Sequence, residues 1–129
     1  NKEKLIEMAK EFQKKAYTPY SKFRVGAAIY TEDGKYYGGC NIESASYGAT
    51  NCAERVAIQN AVSSGSKKIL YLAVIGDAPE TFPCGICRQV IKEFGKEAKI
   101  YLINHDDSIK EYSIDELLPY AFTGEDLDV

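Results

Sequence analysis

Two short stretches decide the fold and the chemistry of this chain: Asn51-Cys52-Ala53-Glu54-Arg55 and Pro83-Cys84-Gly85-Ile86-Cys87-Arg88. Together they contain three of the four cysteines and one acidic side chain. Zinc binds thiolates strongly, and a site with only three protein ligands keeps one coordination position open for chemistry. The pattern therefore predicts a catalytic type of zinc site with Cys52, Cys84 and Cys87 as the ligands.

Each of these stretches stands directly before a run that is typical of a helix. A helix N-terminus favours negative groups such as thiolates, because its first N–H groups are unpaired and its dipole is positive there. Cys84 and Cys87 are three residues apart and face the same way within a first helical turn. Cys52 and Glu54 are two residues apart, so they can share a cavity only if the helix begins at that point.

The composition is that of an ordinary globular protein. The 129 residues are 45% hydrophobic and 27% charged, which predicts a single domain over residues 1–129 that needs no disulfides to fold. A net charge of −3 disfavours nucleic acid as a partner, and the absence of a long apolar run disfavours a membrane. The cysteine usage favours a reducing compartment, so we expect a cytoplasmic protein.

Apolar periodicity predicts an alternation of helices and strands. Helices are expected at residues 4–16, 52–64 and 85–94, with a short one opening at Ser113, and strands at 23–30, 35–40, 69–75, 99–103 and 109–112. This order predicts an α/β fold, a three-layer α/β/α sandwich with a mixed sheet of about five strands. Strand–helix–strand units bring helix starts to the carboxyl ends of strands, where ligands bind, and both cysteine stretches fall there.

Simpler explanations of the individual residues remain open at this point. A C-x-x-C pair alone fits a redox site or half of a structural zinc site equally well. Asn51 and Glu54 have the spacing of a capping box, in which the glutamate would only close the helix start. Cys40 and His105 lack ligand-like spacing, so we expect a small buried residue and a surface histidine, respectively.

Charge arithmetic gives a role to Arg55. Zn²⁺ with three thiolates carries a net charge of about −1, which opposes the ionisation of a bound water. Arg55 lies one helical turn from Cys52 and is predicted to hydrogen-bond the sulfurs and withdraw charge from them. Arg88 is the weaker candidate for the same role.

The flanking segments resemble one known family. Cys-Ala-Glu followed by Pro-Cys-x-x-Cys is similar to the zinc signature of the nucleoside and nucleobase deaminases in its three-cysteine form. Three further segments extend the resemblance to the small, homotetrameric cytidine deaminases over nearly the whole chain: Pro19-Tyr20-Ser21-x-Phe23-x-Val25-Gly26-Ala27-Ala28, Gly39-Cys40-Asn41-Ile42-Glu43 and Glu116-Leu117-Leu118-Pro119-Tyr120-Ala121-Phe122.

The resemblance implies a function. It implies zinc-dependent hydrolytic deamination of cytidine and deoxycytidine to uridine and deoxyuridine, with release of ammonia, as in pyrimidine salvage. One Zn²⁺ per subunit would activate water, and Glu54 would be the catalytic acid and base. The protein would be a homotetramer whose active sites are shared between subunits.

The same resemblance implies the residues that bind the nucleoside. Phe23 would pack against the pyrimidine, and Asn41 and Glu43 would hydrogen-bond the ribose hydroxyls. The backbone N–H of Ala53, free at a helix start, suits the 2-oxo group of the base. Residues that would reach into a neighbouring subunit's site are Ala45, Tyr47 and Phe122.

Two other functions are compatible with the sequence. One is a deaminase of another cytosine-bearing compound, such as the antibiotic blasticidin S, although Asn41-Ile42-Glu43 favours a plain ribose. The other is a non-catalytic zinc module that holds a partner at its helix starts. Editing of polynucleotides is disfavoured by the net charge of −3.

Overall fold

The computed structural model describes residues 1–127 and shows a five-stranded sheet with helices on both faces. The strands are β1 (Val25–Thr31), β2 (Tyr36–Cys40), β3 (Ile69–Gly76), β4 (Lys99–Ile103) and β5 (Ile109–Ser113). The helices are α1 (Lys2–Gln13), α2 (Ala53–Ser63), α3 (Gly85–Phe94) and α4 (Ile114–Leu117), with 3-10 turns at Tyr47–Ala49 and Gly124–Leu127. The predicted domain extends to residue 129, so its last two positions lie outside the described residues.

The sheet is mixed, as predicted, with strand order β2-β1-β3-β4-β5. β3 and β4 pair in parallel, and the other neighbours pair antiparallel. Because β2 and β3 both run opposite to β1, both end at the same edge of the sheet. We call this the site edge: β2, β3 and β4 end there, at Cys40, Gly76 and Ile103, and β1 begins there, at Val25.

Two apolar layers fill the spaces between sheet and helices. One layer lies under α2, α3 and α4 and includes Ile58, Leu72 and Ile91, all fully buried. The other lies under α1 and includes Leu5 and Ala73. β3 contributes successive residues to opposite layers, which explains its unbroken apolar run. The three-layer α/β/α prediction is confirmed, and none of the helices within residues 1–127 is long and apolar enough to cross a membrane.

Helix α1 begins and ends earlier than the periodicity indicates. The pattern predicted residues 4–16, but the helix covers Lys2–Gln13. The Asn1 side chain accepts hydrogen bonds from the N–H groups of the first turn and so moves the start forward. At the other end, Tyr17 forms an isolated bridge with Ile42, which requires an extended backbone and ends the helix before that point.

Strand β1 begins two residues later than predicted, at Val25 instead of residue 23. The carbonyl of Phe23 accepts from the Asn41 side chain, and the N–H of Arg24 donates to the Asp77 carboxylate. These backbone groups therefore bond to side chains instead of to a neighbouring strand. The pattern of apolar residues does not show whether a backbone group bonds to a neighbouring strand or to a side chain, so it could not predict this later start.

A glycine fixes how closely α2 approaches the sheet. A Cβ atom on Gly39 of β2 would lie 2.4 Å from the backbone nitrogen of Ala57 and 2.6 Å from the carbonyl oxygen of Ala53. No side chain fits in this space, so the first turn of α2 rests directly on the strand. The position of the residues at the start of α2 is thereby set by the sheet.

Candidate metal and active site

Three sulfurs converge at the site edge. The Sγ atoms of Cys52, Cys84 and Cys87 lie within 4.8 Å of one another, and those of Cys52 and Cys84 are 3.9 Å apart. Cys84 is exposed, Cys52 is half-buried and Cys87 is buried, so the cluster opens to solvent on one side. The two stretches that the sequence singled out are therefore brought together.

The geometry of the sulfurs fits a zinc ion. Tetrahedral zinc with Zn–S bonds of about 2.3 Å separates its sulfurs by about 3.8 Å. Within residues 1–127 no other histidine, cysteine, aspartate or glutamate joins this group. Cys40 is buried at the end of β2, and His105 is exposed in the turn after β4. The described residues thus offer three groups that could bind a metal ion and not the four of a closed structural site.

Helices α2 and α3 both begin at a cysteine. Cys52 and Cys84 are the N-cap residues of α2 and α3, with φ/ψ of −75°/153° and −70°/169°, and neither side chain caps its own helix. This extended geometry lets Cys52 and Glu54 share one side of the helix start, as the spacing argument requires. The capping-box explanation for Glu54 is wrong, because the N-cap of α2 is Cys52 and not Asn51, and no side chain caps this helix.

Glu54 is a buried carboxyl beside the sulfur cluster. Its exposed fraction is 4%, and it lies in the first turn of α2. Burial raises the pKa of Glu54 to about 7, an effect that a backbone hydrogen bond offsets in part and the charge on Cys52 reinforces. A buried acid whose pKa lies near neutrality is poised both to accept and to donate a proton.

The thiols are electrostatically coupled. A hydrogen bond from Cys87 and the neighbouring Arg55 lower the pKa of Cys52 to about 5. The same hydrogen bond, burial and the charges of Glu54 and Cys52 raise the pKa of Cys87. The cluster therefore holds negative charge even at mildly acidic pH, and negative charge is what a group of ligands needs to bind a metal cation.

The two arginines near the cluster have different partners. Arg55 Nη2 donates to the Thr50 carbonyl at 3.2 Å and to the Cys52 sulfur at 3.5 Å. Arg88 donates instead to the carbonyls of Pro83 and Leu117, both at 2.8 Å. The expected hydrogen bond from Arg55 to a cysteine sulfur is present, and its effect on the charge of the cluster stays a prediction. Arg88 joins the loop before α3 to α4 and is not bonded to sulfur.

Comparison with known proteins decides the family. The model for the "Cytidine and deoxycytidylate deaminase zinc-binding region" matches residues 1–103. This chain belongs to that family. The cytidine deaminase of Sporosarcina psychrophila is 50% identical over 127 residues, which are 97% of this chain and 93% of that protein. The cytidine deaminase of Halalkalibacterium halodurans is 45% identical, with 99% of this chain and 98% of that protein covered.

Solved structures of the family share the fold. The cytidine deaminase from Burkholderia pseudomallei superposes with a TM-score of 0.90 at 45% identity, over 95% of this chain and 99% of that one. The sandwich architecture, the mixed sheet and the resemblance stated from the sequence are therefore confirmed. The family is a zinc-binding one, and within residues 1–127 the three cysteines form a group that could hold one metal ion.

The residues expected to bind a ribose lie beside the cysteine stretches. Asn41 and Glu43 follow β2, and Ile42 between them pairs with Asn51, next to Cys52, through two backbone hydrogen bonds of 3.0 and 2.9 Å. The Asn41 side chain accepts from the N–H of Val25 and donates to the Phe23 carbonyl, both at 2.9 Å. One amide hydrogen and one lone pair of Asn41 remain for a ligand.

Glu43 is occupied in a similar way. One oxygen accepts from the N–H groups of Tyr20 and Ser21, at 3.0 and 3.1 Å, and the other accepts from the Ser21 hydroxyl. The Ser21 hydroxyl and these N–H groups lower the pKa of Glu43. A cavity of about 380 Å³ lies here, lined by Tyr20, Ser21, Glu43, Ser44, Tyr47 and Thr50.

The other predicted binding residues fall into two groups. Phe23, half-buried just before β1, and Ala53, the first residue of α2, lie at the site edge. Ala45 and Tyr47 are exposed in the loop after β2. Phe122 is 58% exposed on the outer side of α3, where its carbonyl accepts from Gln89, and the structure does not bring it to the cysteines of its own chain.

One residue of this region escaped the sequence reasoning. Asp77 directly follows β3 and accepts hydrogen bonds from the backbone and side chain of Arg24 and from Gln13. The available signal was an acidic residue at the carboxyl end of an apolar strand, the same position that drew attention to the cysteines. Its partners are distant in sequence, so the pairing could not be inferred.

Proposed function

We propose that this protein hydrolyses the 4-amino group of cytidine and deoxycytidine, giving uridine or deoxyuridine and ammonia, and so serves in pyrimidine salvage. The observation that carries the proposal is a buried carboxyl, Glu54, beside three converging thiols that lack a fourth partner within residues 1–127. Support comes from relatives that are named cytidine deaminase at up to 50% identity.

Glu54 moves the protons of the reaction. Zinc, when bound by Cys52, Cys84 and Cys87, supplies a Lewis acid that makes water a nucleophile at neutral pH. Glu54 accepts a proton from the attacking water and delivers it to ring N3, which makes C4 electrophilic. It then carries the second proton to the amino nitrogen as the C4–N bond breaks, so that water and cytidine give uridine and ammonia.

Arg55 tunes the sulfur cluster. Its guanidinium lies 3.5 Å from the Cys52 sulfur and offsets the negative charge that three thiolates place there. Without this partner, the thiolates would donate more charge to the metal and water would be less acidic. Arg55 acts on the cluster through hydrogen bonding and charge and takes no proton itself.

Four residues hold the nucleoside in this proposal. Phe23 packs against the pyrimidine, and Asn41 and Glu43 use their remaining hydrogen-bonding capacity on the ribose hydroxyls. The Ala53 N–H projects from the start of α2 and bonds to the 2-oxo group. Because Asn41 and Glu43 are already fixed by backbone partners, they would be preorganised for the sugar and lose little entropy on binding.

The functional unit in this proposal is a cytoplasmic homotetramer of single-domain subunits. Support comes from the exposure of Tyr47 and Phe122, which are 77% and 58% accessible, because large exposed aromatics are typical of interfaces. Ala45, Tyr47 and Phe122 would then complete the site of a neighbouring subunit. A mixture of Phe122→Ala and Glu54→Gln proteins, each inactive alone, should regain part of the activity if sites are shared.

An absorbance assay tests the function directly. Zinc-loaded protein is mixed with cytidine, deoxycytidine or blasticidin S, and the ultraviolet spectrum and released ammonia are followed. We expect turnover of both nucleosides and little of the antibiotic, because Asn41 and Glu43 match ribose hydroxyls. Turnover of blasticidin S alone would assign the other deaminase activity, and no spectral change with any substrate would favour a non-catalytic zinc module.

A further inference from the structure

The segment of residues 20–25 carries Phe23 into β1 on an irregular backbone. Lys22 has a φ of 62°, in the left-handed region that non-glycine residues seldom adopt. Side chains take up most of the N–H groups: those of Tyr20 and Ser21 donate to Glu43, that of Phe23 donates to the Ser21 hydroxyl at 3.0 Å, and that of Val25 donates to Asn41. The position of Phe23 thus depends on side chains from other parts of the chain.

Asp77 holds Arg24, the residue between Phe23 and Val25. The N–H of Arg24 donates to Asp77 Oδ2 at 2.7 Å, whereas the guanidinium Nε and Nη2 lie 3.3 Å from the carboxylate oxygens. Gln13 Nε2 donates to Asp77 Oδ1 at 3.3 Å and to the Arg24 carbonyl at 3.2 Å. The backbone of Arg24 is therefore held at both its N–H and its carbonyl, and the N–H bond is the shortest of these contacts.

Asp77 connects this segment to the cysteine cluster. It opens the loop that runs from the end of β3 to Cys84. That loop is itself held in place, because Thr81 donates to the Ala78 carbonyl at 3.0 Å and the Glu80 N–H donates to the Asn104 side chain at 3.1 Å. A carboxylate at position 77 therefore links the backbone next to Phe23 with the loop that carries a metal ligand.

We propose that Asp77 is a positioning residue, whose carboxylate fixes the Arg24 backbone so that Phe23 keeps its distance from the cysteine cluster. The inference rests on the proposed function, in which Phe23 packs against the base. Releasing the Arg24 N–H lets Phe23 move and weakens contact with the base in the ground state and the transition state alike. Loss of such uniform binding raises KM and leaves kcat unchanged.

Three variants separate the backbone contact from the exposed ion pair. Asp77→Ala removes the acceptor, Asp77→Asn keeps an oxygen without the charge, and Arg24→Gln removes the guanidinium while its N–H remains. With zinc-loaded proteins and cytidine, we expect KM to rise about tenfold for Asp77→Ala and less for Asp77→Asn, and to stay within about twofold for Arg24→Gln. Zinc content and kcat should match the parent protein in all three.

Amide hydrogen exchange provides a readout that does not depend on activity. The Arg24 amide should exchange faster in Asp77→Ala and at the parent rate in Arg24→Gln. A lower Tm with unchanged KM in Asp77→Ala and Asp77→Asn would overturn the proposal, as would equal KM changes in Asp77→Ala and Arg24→Gln. If the parent protein fails to deaminate cytidine, the proposed function fails, and unchanged Arg24 exchange in Asp77→Ala would separately disprove the contact.

Discussion

The starts of α2 and α3 share a design and differ at their second helical residue. Each helix begins with an extended N-cap cysteine that contributes a sulfur to the same cluster. In α2 the second residue is Glu54, which is 4% exposed, and in α3 it is Ile86, which is 63% exposed. Arg55 donates a hydrogen bond to a cysteine sulfur, whereas Arg88 donates hydrogen bonds to backbone carbonyls.

This difference indicates that the starts of α2 and α3 have different roles. The start of α3 contributes two of the three thiols and has the exposed Ile86 where α2 has its buried carboxyl. α2 supplies one thiol, the buried carboxyl and the arginine, so in the proposed mechanism the proton transfers and the charge adjustment both depend on it. Substitutions in the two helix starts should therefore have unequal effects.

The largest effect is expected for the ligand cysteines. Cys84→Ser replaces a thiolate by a hydroxyl that zinc binds poorly, and metal binding contributes to folding free energy. We expect loss of zinc by elemental analysis, a lower Tm, and a fall in turnover of about 10⁴-fold or more, since the Lewis acid is lost. Cys40→Ala is the control, because Cys40 lies outside the cluster, and it should retain zinc. Equal zinc content in both variants would contradict the ligand assignment.

The second helical residues provide the next comparison. Glu54→Gln keeps the shape of the side chain and removes its proton transfer, so turnover should fall by about 10²–10⁴-fold while zinc remains. Ile86→Gln at the matched position of α3 should change turnover by less than twofold, as most surface substitutions do. Steady-state kinetics with cytidine and zinc analysis decide the outcome. If Glu54→Gln turned over cytidine at nearly the parent rate, Glu54 would have only a structural role.

The arginines should separate activity from stability. Arg55→Gln removes a partner of the Cys52 sulfur, and changes to such outer partners of metal ligands lower activity or metal affinity by about 10–100-fold. Arg88→Gln loses two hydrogen bonds to carbonyls, so it should lower the Tm and leave kcat near that of the parent. The measurement is kcat and Tm for both variants. A larger kcat loss in Arg88→Gln would reverse the assignment.

The start of α4 is a reference helix start without chemistry, and the smallest effect is expected there. Ser113 and Glu116 form a true capping box, and the Ser113 N–H lowers the pKa of Glu116 below its ordinary 4.5. A carboxyl with a lowered folded-state pKa stabilises the fold above its unfolded pKa and loses that contribution as pH falls through the folded value.

Glu116→Gln should accordingly lower the Tm slightly at pH 7 and leave turnover unchanged. The Tm difference from the parent protein should shrink as the pH falls below about 4, because the parent carboxyl is then protonated and, like the amide of the variant, carries no charge. Thermal scans at a series of pH values test this. A Tm difference that grows with acidity would have the wrong sign for a capping carboxylate.

Much of the fold and of the cysteine site was predictable from the sequence, because it depends on local patterns. Apolar periodicity indicated all five strands and the helices that follow the cysteines, and the two-residue spacing of Cys52 and Glu54 required a helix to begin there. Each of these features is encoded within a few consecutive residues, which is the range over which a pattern is informative.

The parts that escaped prediction depend on contacts between residues that are distant in the sequence. The delayed start of β1 follows from bonds of Phe23 and Arg24 to Asn41 and Asp77, and the early end of α1 follows from the bridge between Tyr17 and Ile42. Neither has a local pattern. The capping-box explanation of Glu54 failed because spacing alone does not show that Cys52, and not Asn51, occupies the N-cap position.

X-ray absorption at the zinc edge is the sharpest test of a zinc ion held by three cysteines, because it counts the ligands of the bound metal. Three sulfurs from Cys52, Cys84 and Cys87 and an open position predict three Zn–S distances of about 2.3 Å and one lighter atom at about 2.0 Å. Glu54→Gln should leave this spectrum unchanged. Four Zn–S distances, or an imidazole in the fourth position, would mean a closed structural site and would contradict a zinc ion with three cysteine ligands and one open position.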